Sequence, residues 1–236
     1  MNIRLFKKID TVIGFLVARM VPRQRHGVFI YSISSLLIIR PGGIGDAVLL
    51  APIISLLKKN DPTIHISILS EKRNAGVISL IYGVDTNLCY DRPTELFEAF
   101  QSSYDCVIDS EQSHFLSAVV ARIIRAPLKI GFYTNERRRM FSHTIPYLQD
   151  DYEATSFTNL LAPLCIDSAS MKENEPYLSI PSSAKKKADI LLASLQGKTF
   201  ITLFPGASIQ ERRWGKERFQ KVAELLSIIG VAVVVV

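Results

Sequence analysis

Leu36-Leu37-Ile38-Ile39-Arg40-Pro41-Gly42-Gly43-Ile44-Gly45-Asp46 is the stretch on which the reading of this chain turns. Its first four residues form an unbroken apolar run, as expected of a strand buried on both faces. Arg40 to Asp46 is a glycine-rich turn. The apolar spacing beyond it, from Asp46 to Lys59, predicts a helix that Pro52 should kink or split. A strand, a glycine turn and a helix start together let backbone N–H groups approach a charged or nucleophilic group closely. Asp46 adds a carboxylate where that helix begins.

Outward from this turn, strand and helix patterns alternate. Strands are expected at Ile64–Leu69, Asn87–Tyr90, Cys106–Asp109 and Lys129–Gly131, and helices near Asn74–Tyr82, Thr94–Ser102 and His114–Arg125. Such an order predicts an α/β fold, a mainly parallel sheet with helices on both faces. Ligands of such sheets bind at the carboxyl ends of the strands, where Gly42–Asp46, Glu71 and Asp109–Glu111 fall. The rhythm breaks between Thr134 and Pro181, where one helix is expected near Glu153–Cys165. It resumes with a helix over Ser182–Leu195, a strand at Thr199–Phe204, a second glycine turn (Pro205-Gly206-Ala207-Ser208), a helix from Lys216 to Ile229 and a strand at Val231–Val236. Two strand–turn–helix units, one per half, suggest two nucleotide-binding-type domains facing a cleft. The domain boundaries expected are an extension over 1–34, a Rossmann-like amino-terminal domain over 35–181 and the start of a second over 182–236. A bare parallel strand at the end of the chain reads as a truncation of a protein about 100 residues longer, by typical domain sizes.

The net charge of +6 is uneven. Residues 1–34 carry six bases against one acid, and the rest of the chain carries 22 bases against 21 acids. A basic extension on a near-neutral body argues against a nucleic-acid-binding domain. Within it, Leu5, Ile9, Val12, Ile13, Leu16, Val17 and Met20 share one helix face. That face suits either contact with an anionic membrane surface through residues 1–21 or packing on the chain's own domain. A membrane span is not expected, because the apolar run is short and contains Arg19. Cys89, Cys106 and Cys165 are far apart and read as buried free thiols of a reducing compartment. No zinc spacing is visible, and His114 and His143 read as surface or cleft polar residues.

Four strings of the chain resemble one known family. They are LLIIRPGGIGDAVLLAPIISLLKKNDPTIHISIL (36–69), YDCVIDSEQSHFLSAVVARIIRAPLKIGF (104–132), FSHTIPY (141–147) and ITLFPGASIQERRWGKERF (201–219). In order and spacing they resemble glycosyltransferase family 9, the ADP-heptose–lipopolysaccharide heptosyltransferases. The resemblance implies a GT-B architecture and transfer of a sugar, with inversion, from a nucleotide-sugar to a growing lipopolysaccharide core. It implies a nucleotide-sugar donor (ADP-heptose), an anionic lipid-linked oligosaccharide acceptor, no cofactor and no catalytic metal. It also implies a cytoplasmic protein, peripheral on the inner membrane if residues 1–21 lie on lipid.

Inverting transfer needs a base for the acceptor hydroxyl and positive charge or N–H donors for the departing diphosphate. The resemblance makes Asp46 the base, in a charged form that the helix start would favour; the alternative is an Asp that only caps its helix. Gly43, Gly45, Asp109 and Glu111 are the expected acceptor-side loop residues. Asp109-Ser110-Glu111-Gln112 departs from the D-L-Q-G common in the family, which leaves the sugar and the acceptor open. Ser208 and Arg212 are expected at the donor diphosphate. An arginine at position 212 replaces the usual lysine, keeping the charge but changing its reach. Arg137-Arg138-Arg139 reads either as a phosphate contact or as an exposed basic loop.

Two other readings compete. A nicotinamide- or flavin-dependent oxidoreductase would use Gly43-x-Gly45-x-x-Val48 and Glu71, but Val48 replaces the third small residue and Asp46 would repel a pyrophosphate. A non-catalytic, truncated family member would lack the family's D-x-G-x-x-H region, which grips the nucleotide-sugar.

Overall fold

The computed structural model describes Met20, Gln24 and residues 32–166, 177–207 and 210–236. Nearly all of the amphipathic extension therefore lies outside the described residues, as does Ser208. The chain divides into two compact units, Met1–Ser179 and Ile180–Val236.

In the first unit the elements run β1 (Ser35–Ile39), α1 (Ile44–Val48), α2 (Ala51–Asn60), β2 (His65–Ser70), α3 (Lys72–Ile78), β3 (Thr86–Cys89), α4 (Pro93–Gln101), β4 (Cys106–Asp109), α5 (Phe115–Ile123), β5 (Leu128–Tyr133), β6 (His143–Pro146) and α6 (Glu153–Asn159). The six strands form one sheet in the order β3-β2-β1-β4-β5-β6. Every pair is parallel. The chain winds outward from β1 in one direction and from β4 in the other, so the order reverses between those two strands. A crevice at the carboxyl ends of strands opens at such a reversal.

Alternating side chains of the central strands go to different cores. Leu36, Ile38, Ile66, Ile68, Cys106 and Ile108 join one buried cluster with Ile53, Ile54 and Leu57 of α2 and Phe157 of α6. Leu37, Ile39, Leu69 and Val107 join a second with Ala99 of α4 and Phe115, Ala118 and Ala121 of α5. Apolar residues at consecutive positions are thus buried on both faces, which is why β1 reads as a continuous run and not as an alternation. Pro52 splits the expected first helix: α1 ends at Val48, and α2 carries the proline in its first turn, where a missing N–H costs nothing.

Three details depart from the sequence expectations. β6 lies where no strand was expected, paired parallel to β5 across the short 3₁₀ turn Glu136–Met140. It is a four-residue edge strand of half-buried polar and apolar residues ending in Pro146, so it lacks the apolar run that marks the inner strands. The helix expected to reach Cys165 stops at Asn159 and gives way to a 3₁₀ turn, Ala162–Leu164, with Pro163 inside it. Cys89 and Cys106 are buried free thiols, but Cys165 is exposed.

Two polar anchors set the sheet. The buried Lys129 ammonium donates to the Arg122 and Ile124 carbonyls, both at 2.5 Å, closing the carboxyl end of α5; burial, with Arg122 nearby, pulls its pKa down to about 8. At the start of β4, Asp105 Oδ2 accepts from the Ser34 and Ser35 amides, both at 2.9 Å, and from their hydroxyls at 2.8 and 3.0 Å. Burial pushes the Asp105 carboxyl up, but these donors outweigh it and hold it below its ordinary value. A carboxyl held low when folded adds stability above its ordinary pKa and loses it as pH falls through the folded value. Asp105→Ala should therefore cost about 1–3 kcal/mol at pH 7. In thermal unfolding, the gap between variant and wild type should narrow as the pH is lowered into the acid range.

The second unit contains α7 (Ser182–Leu191), β7 (Phe200–Leu203), α8 (Lys216–Ile228) and β8 (Ala232–Val235). β7 and β8 pair parallel. No described side chain of this unit is buried, and Phe204, Ile228, Ile229 and Val235 are largely exposed.

Candidate active site

The crevice between β1 and β4 is built by the two loops that leave these strands. Ile39 stands opposite Asp109, and the Ser110 amide and hydroxyl both donate to the Ile39 carbonyl, at 3.1 and 2.9 Å. The loop after β1 turns sharply at Gly42, whose φ of +113° is one that residues with a side chain rarely adopt. Gly43 is the N-cap residue of α1. A side chain at Gly45 would meet nothing within 4 Å, so the loop stays open there.

Asp46 sits in the first turn of α1 and forms no capping bond; Gly43 occupies the cap position. Only five residues long, α1 has little dipole to offer a carboxylate. The positive charge comes from Arg40 instead. Its Nη2 lies 3.3 Å from Asp46 Oδ2, with the Arg40 side chain 3% exposed and that of Asp46 56%. Arg40 Nη1 donates to the Ser110 carbonyl at 2.7 Å, and its guanidinium lies 5.0 Å from the Phe157 ring centre. Asn74, the buried N3 residue of α3, donates to the Arg40 carbonyl at 3.1 Å. An exposed carboxylate is thus held beside a buried, fixed cation.

Asp109 and Glu111 lie on the loop where they were expected, but both carboxylates turn inward. Asp109 Oδ2 pairs with Arg137 Nη2 at 2.5 Å, both side chains being 0% exposed. Burial pushes the Asp109 carboxyl up, against the pull of Arg137 and the Glu111 amide. Glu111 Oε1 accepts from the amides of Gln112, Ser113 and His114 at 3.1, 2.9 and 3.3 Å, filling the start of α5 with its own carboxylate. Burial raises the Glu111 carboxyl, but the Ser113 amide and the neighbouring His114, Arg40 and Arg137 more than offset it, so its net shift is downward. These two acids shape the loop after β4, whereas Asp46, beyond the loop after β1, keeps its carboxylate exposed.

The basic run Arg137–Arg139 is not a uniformly exposed loop: it forms a 3₁₀ turn whose first arginine is buried. Arg137 is buried and also donates to the Glu111 carbonyl. Arg138 lies over the Tyr133 ring at 4.9 Å, and Arg139 pairs with Glu136 at 3.7 Å. Two buried guanidiniums, Arg137 in the core and Arg40 at the crevice, are what sequence pattern missed: it gave Arg40 no role and did not mark Arg137 as buried. The signal for Arg137 is weak, because it is embedded in a run of three arginines. That for Arg40 is stronger: it directly follows a strand buried on both faces. Gly131 makes room for this arrangement. A Cβ there would meet the Phe141 ring at 2.4 Å, and the Arg137 guanidinium lies 5.5 Å from the same ring's centre. Gly131→Ala should therefore cost about 1–3 kcal/mol, read as a lower denaturant midpoint with an unchanged slope.

In the second unit, Arg212 is exposed at the end of the 3₁₀ turn Gln210–Arg212. Arg213 Nε donates to the Ala207 carbonyl of the glycine turn at 2.9 Å. Trp214 packs edge-on against Phe219 at 5.4 Å, just before α8 begins at Lys216. Ser208 lies outside the described residues.

A family model described as "Glycosyltransferase family 9 (heptosyltransferase)" matches residues 94–236, more than half of the chain. The chain belongs to glycosyltransferase family 9. It is 25% identical over 207 residues to lipopolysaccharide heptosyltransferase 3 of Escherichia coli, an alignment covering 80% of this chain and 60% of that protein. Among solved structures, the family 9 glycosyl transferase from Veillonella parvula DSM 2008 superposes with a TM-score of 0.74 at 19% identity, covering 89% of this chain and 64% of the other. The E. coli ADP-heptose lps heptosyltransferase II does so at 0.68 and 16%, covering 85% and 63%. At such identities the structural likeness is one of fold, the GT-B-type α/β architecture whose second domain this chain covers in part. The chain spans about 60% of the length of its curated relative. Among the described residues no three His, Cys, Asp or Glu side chains gather as a metal site, and no helix is long and apolar enough to cross a membrane.

Proposed function

We propose that this family 9 chain serves a metal-independent, inverting transfer of a heptose from a nucleotide-diphospho-sugar, ADP-heptose, to a lipopolysaccharide core acceptor. The observation that carries this reading is the exposed Asp46 carboxylate at the β1–β4 reversal, paired with the buried Arg40. In this role Asp46 removes the proton of the acceptor hydroxyl as its oxygen attacks the anomeric carbon. The new C–O bond forms on the face opposite the breaking bond to the diphosphate, and ADP leaves with that electron pair. Gly43 and Gly45 keep the loop low enough for the acceptor to approach. Arg212, with Ser208, is assigned to the charge on the departing diphosphate, as suits an exposed guanidinium beside a glycine turn. The donor and acceptor follow the names of relatives, which include an ADP-heptose lps heptosyltransferase. The same reading puts the protein at the cytoplasmic face of the inner membrane, where such an acceptor is assembled.

The alternative is a family member that binds without transferring. Measuring ADP release from ADP-heptose, with and without a lipopolysaccharide core acceptor, separates the two. Acceptor-dependent release supports transfer. Saturable acceptor binding without release, in this chain and in any longer product of its gene, would establish the second reading instead.

A further inference from the structure

Building on the reading of Asp46 as the base, we propose that Arg40 is a positioning residue that selects the working rotamer of that carboxylate. The two side chains differ sharply in freedom. Arg40 is fixed at several points: its amide donates to the Leu69 carbonyl at 3.0 Å and its carbonyl accepts from Asn74 at 3.1 Å. Nη1 reaches the Ser110 carbonyl at 2.7 Å, and the guanidinium lies over Phe157. Asp46 stands half exposed on a five-residue helix without a capping bond. A free aspartate there would exchange between staggered χ1 wells. A guanidinium locked in the floor of the crevice at 3.3 Å picks out one of them.

The contact also has a useful polarity. It engages Oδ2, and among the described residues Oδ1 has no hydrogen-bond partner, which leaves it for an acceptor hydroxyl. Because Ser110 belongs to the loop after β4, Arg40 ties the base-bearing loop to the opposite wall of the crevice. One planar fork does both at once, which a lysine point charge cannot match in geometry. Misplacement of a reacting group by about 1 Å costs on the order of 10²-fold in rate, so a carboxylate spread over several rotamers would be a slow base.

The experiment compares wild type with Arg40→Met, Arg40→Lys, Asp46→Asn and the Asp46→Asn/Arg40→Met pair, each checked by thermal unfolding. Three-bond NMR couplings report the Asp46 χ1 distribution in substrate-free protein and need no turnover. A single rotamer is expected in wild type, an averaged one in Arg40→Met and an intermediate one in Arg40→Lys. Should Arg40→Met fail to fold, Arg40→Lys carries the same measurement. Couplings identical to wild type in the variant that is measured would overturn the proposal. In turnover, Arg40→Met should lower kcat roughly 30- to 100-fold with a near-constant KM for the nucleotide-sugar, and Arg40→Lys should restore part of it. The double variant should be no slower than Asp46→Asn alone, because both changes disable one unit. Multiplying losses would mean that Arg40 acts independently of Asp46, against the proposal. If Asp46→Asn transferred sugar like wild type, the reading of the base would fail, while the rotamer result would still decide the role of Arg40.

Discussion

Asp46→Asn should lower kcat for sugar transfer by about 10²- to 10⁴-fold, the usual loss when a general base is removed. The substitution is chosen because it changes little else. An amide has nearly the same volume, and its oxygen can still accept from Arg40 Nη2, 3.3 Å away in the wild type. Asp46 makes no capping bond that the helix would miss, so the unfolding midpoint should stay close to wild type. What the amide cannot do is take the proton of an attacking hydroxyl. Binding of the nucleotide-sugar should be preserved, which separates loss of the chemical step from loss of a ligand contact. Steady-state ADP release beside donor-binding titrations makes the comparison. A variant with unimpaired kcat would remove Asp46 as the base, and one with normal kcat but a much higher KM would make it a binding group.

The amino-terminal fold was legible because its central strands lie in a sheet covered on both faces. Leu36–Ile39 and Cys106–Asp109 stand out as short blocks between glycine-, proline- or acid-bearing turns, and both are strands within a residue of where the pattern put them. β6 was not legible, because an edge strand need bury only part of its surface and His143–Pro146 shows no apolar run. For the site, sequence spacing located the two loops correctly but could not say which way their acids point. Asp46, Asp109 and Glu111 all lie at or just beyond the carboxyl ends of strands, and only three-dimensional contacts distinguish the exposed one from the two that satisfy buried donors. Arg137 shows the limit most clearly. Nothing in Arg137-Arg138-Arg139 marks the first arginine as a core residue; the mark lies 28 positions earlier, in the carboxylate that it meets.

That meeting makes Arg137→Met the change with the largest expected effect on stability, about 3–5 kcal/mol, or a fall of roughly 6–20 °C in the unfolding midpoint. The guanidinium holds three partners at once: the Asp109 carboxylate, the Glu111 carbonyl and, at 3.4 Å, the Ser117 hydroxyl. Methionine can fill part of the volume but returns none of these bonds. Asp109 then remains at 0% exposure without its cation. Burial already pushes its carboxyl up, and with Arg137 gone only neutral donors, the Glu111 amide and the Ser117 hydroxyl, would resist, so the folded variant should hold a proton there. A carboxyl whose folded pKa is raised binds protons more readily folded than unfolded. Stability then falls as pH rises from the unfolded value up through the folded one. The deficit of Arg137→Met against wild type should therefore be larger at pH 8 than at pH 5. Removing both charges, as Asp109→Leu/Arg137→Met, should recover much of the loss, because an apolar pair strands no buried charge. Chemical denaturation of the three proteins at the two pH values tests the argument. Arg137→Met as stable as wild type, or equally unstable at both pH values, would show that the buried pair does not hold the loop after β4 against the 3₁₀ turn.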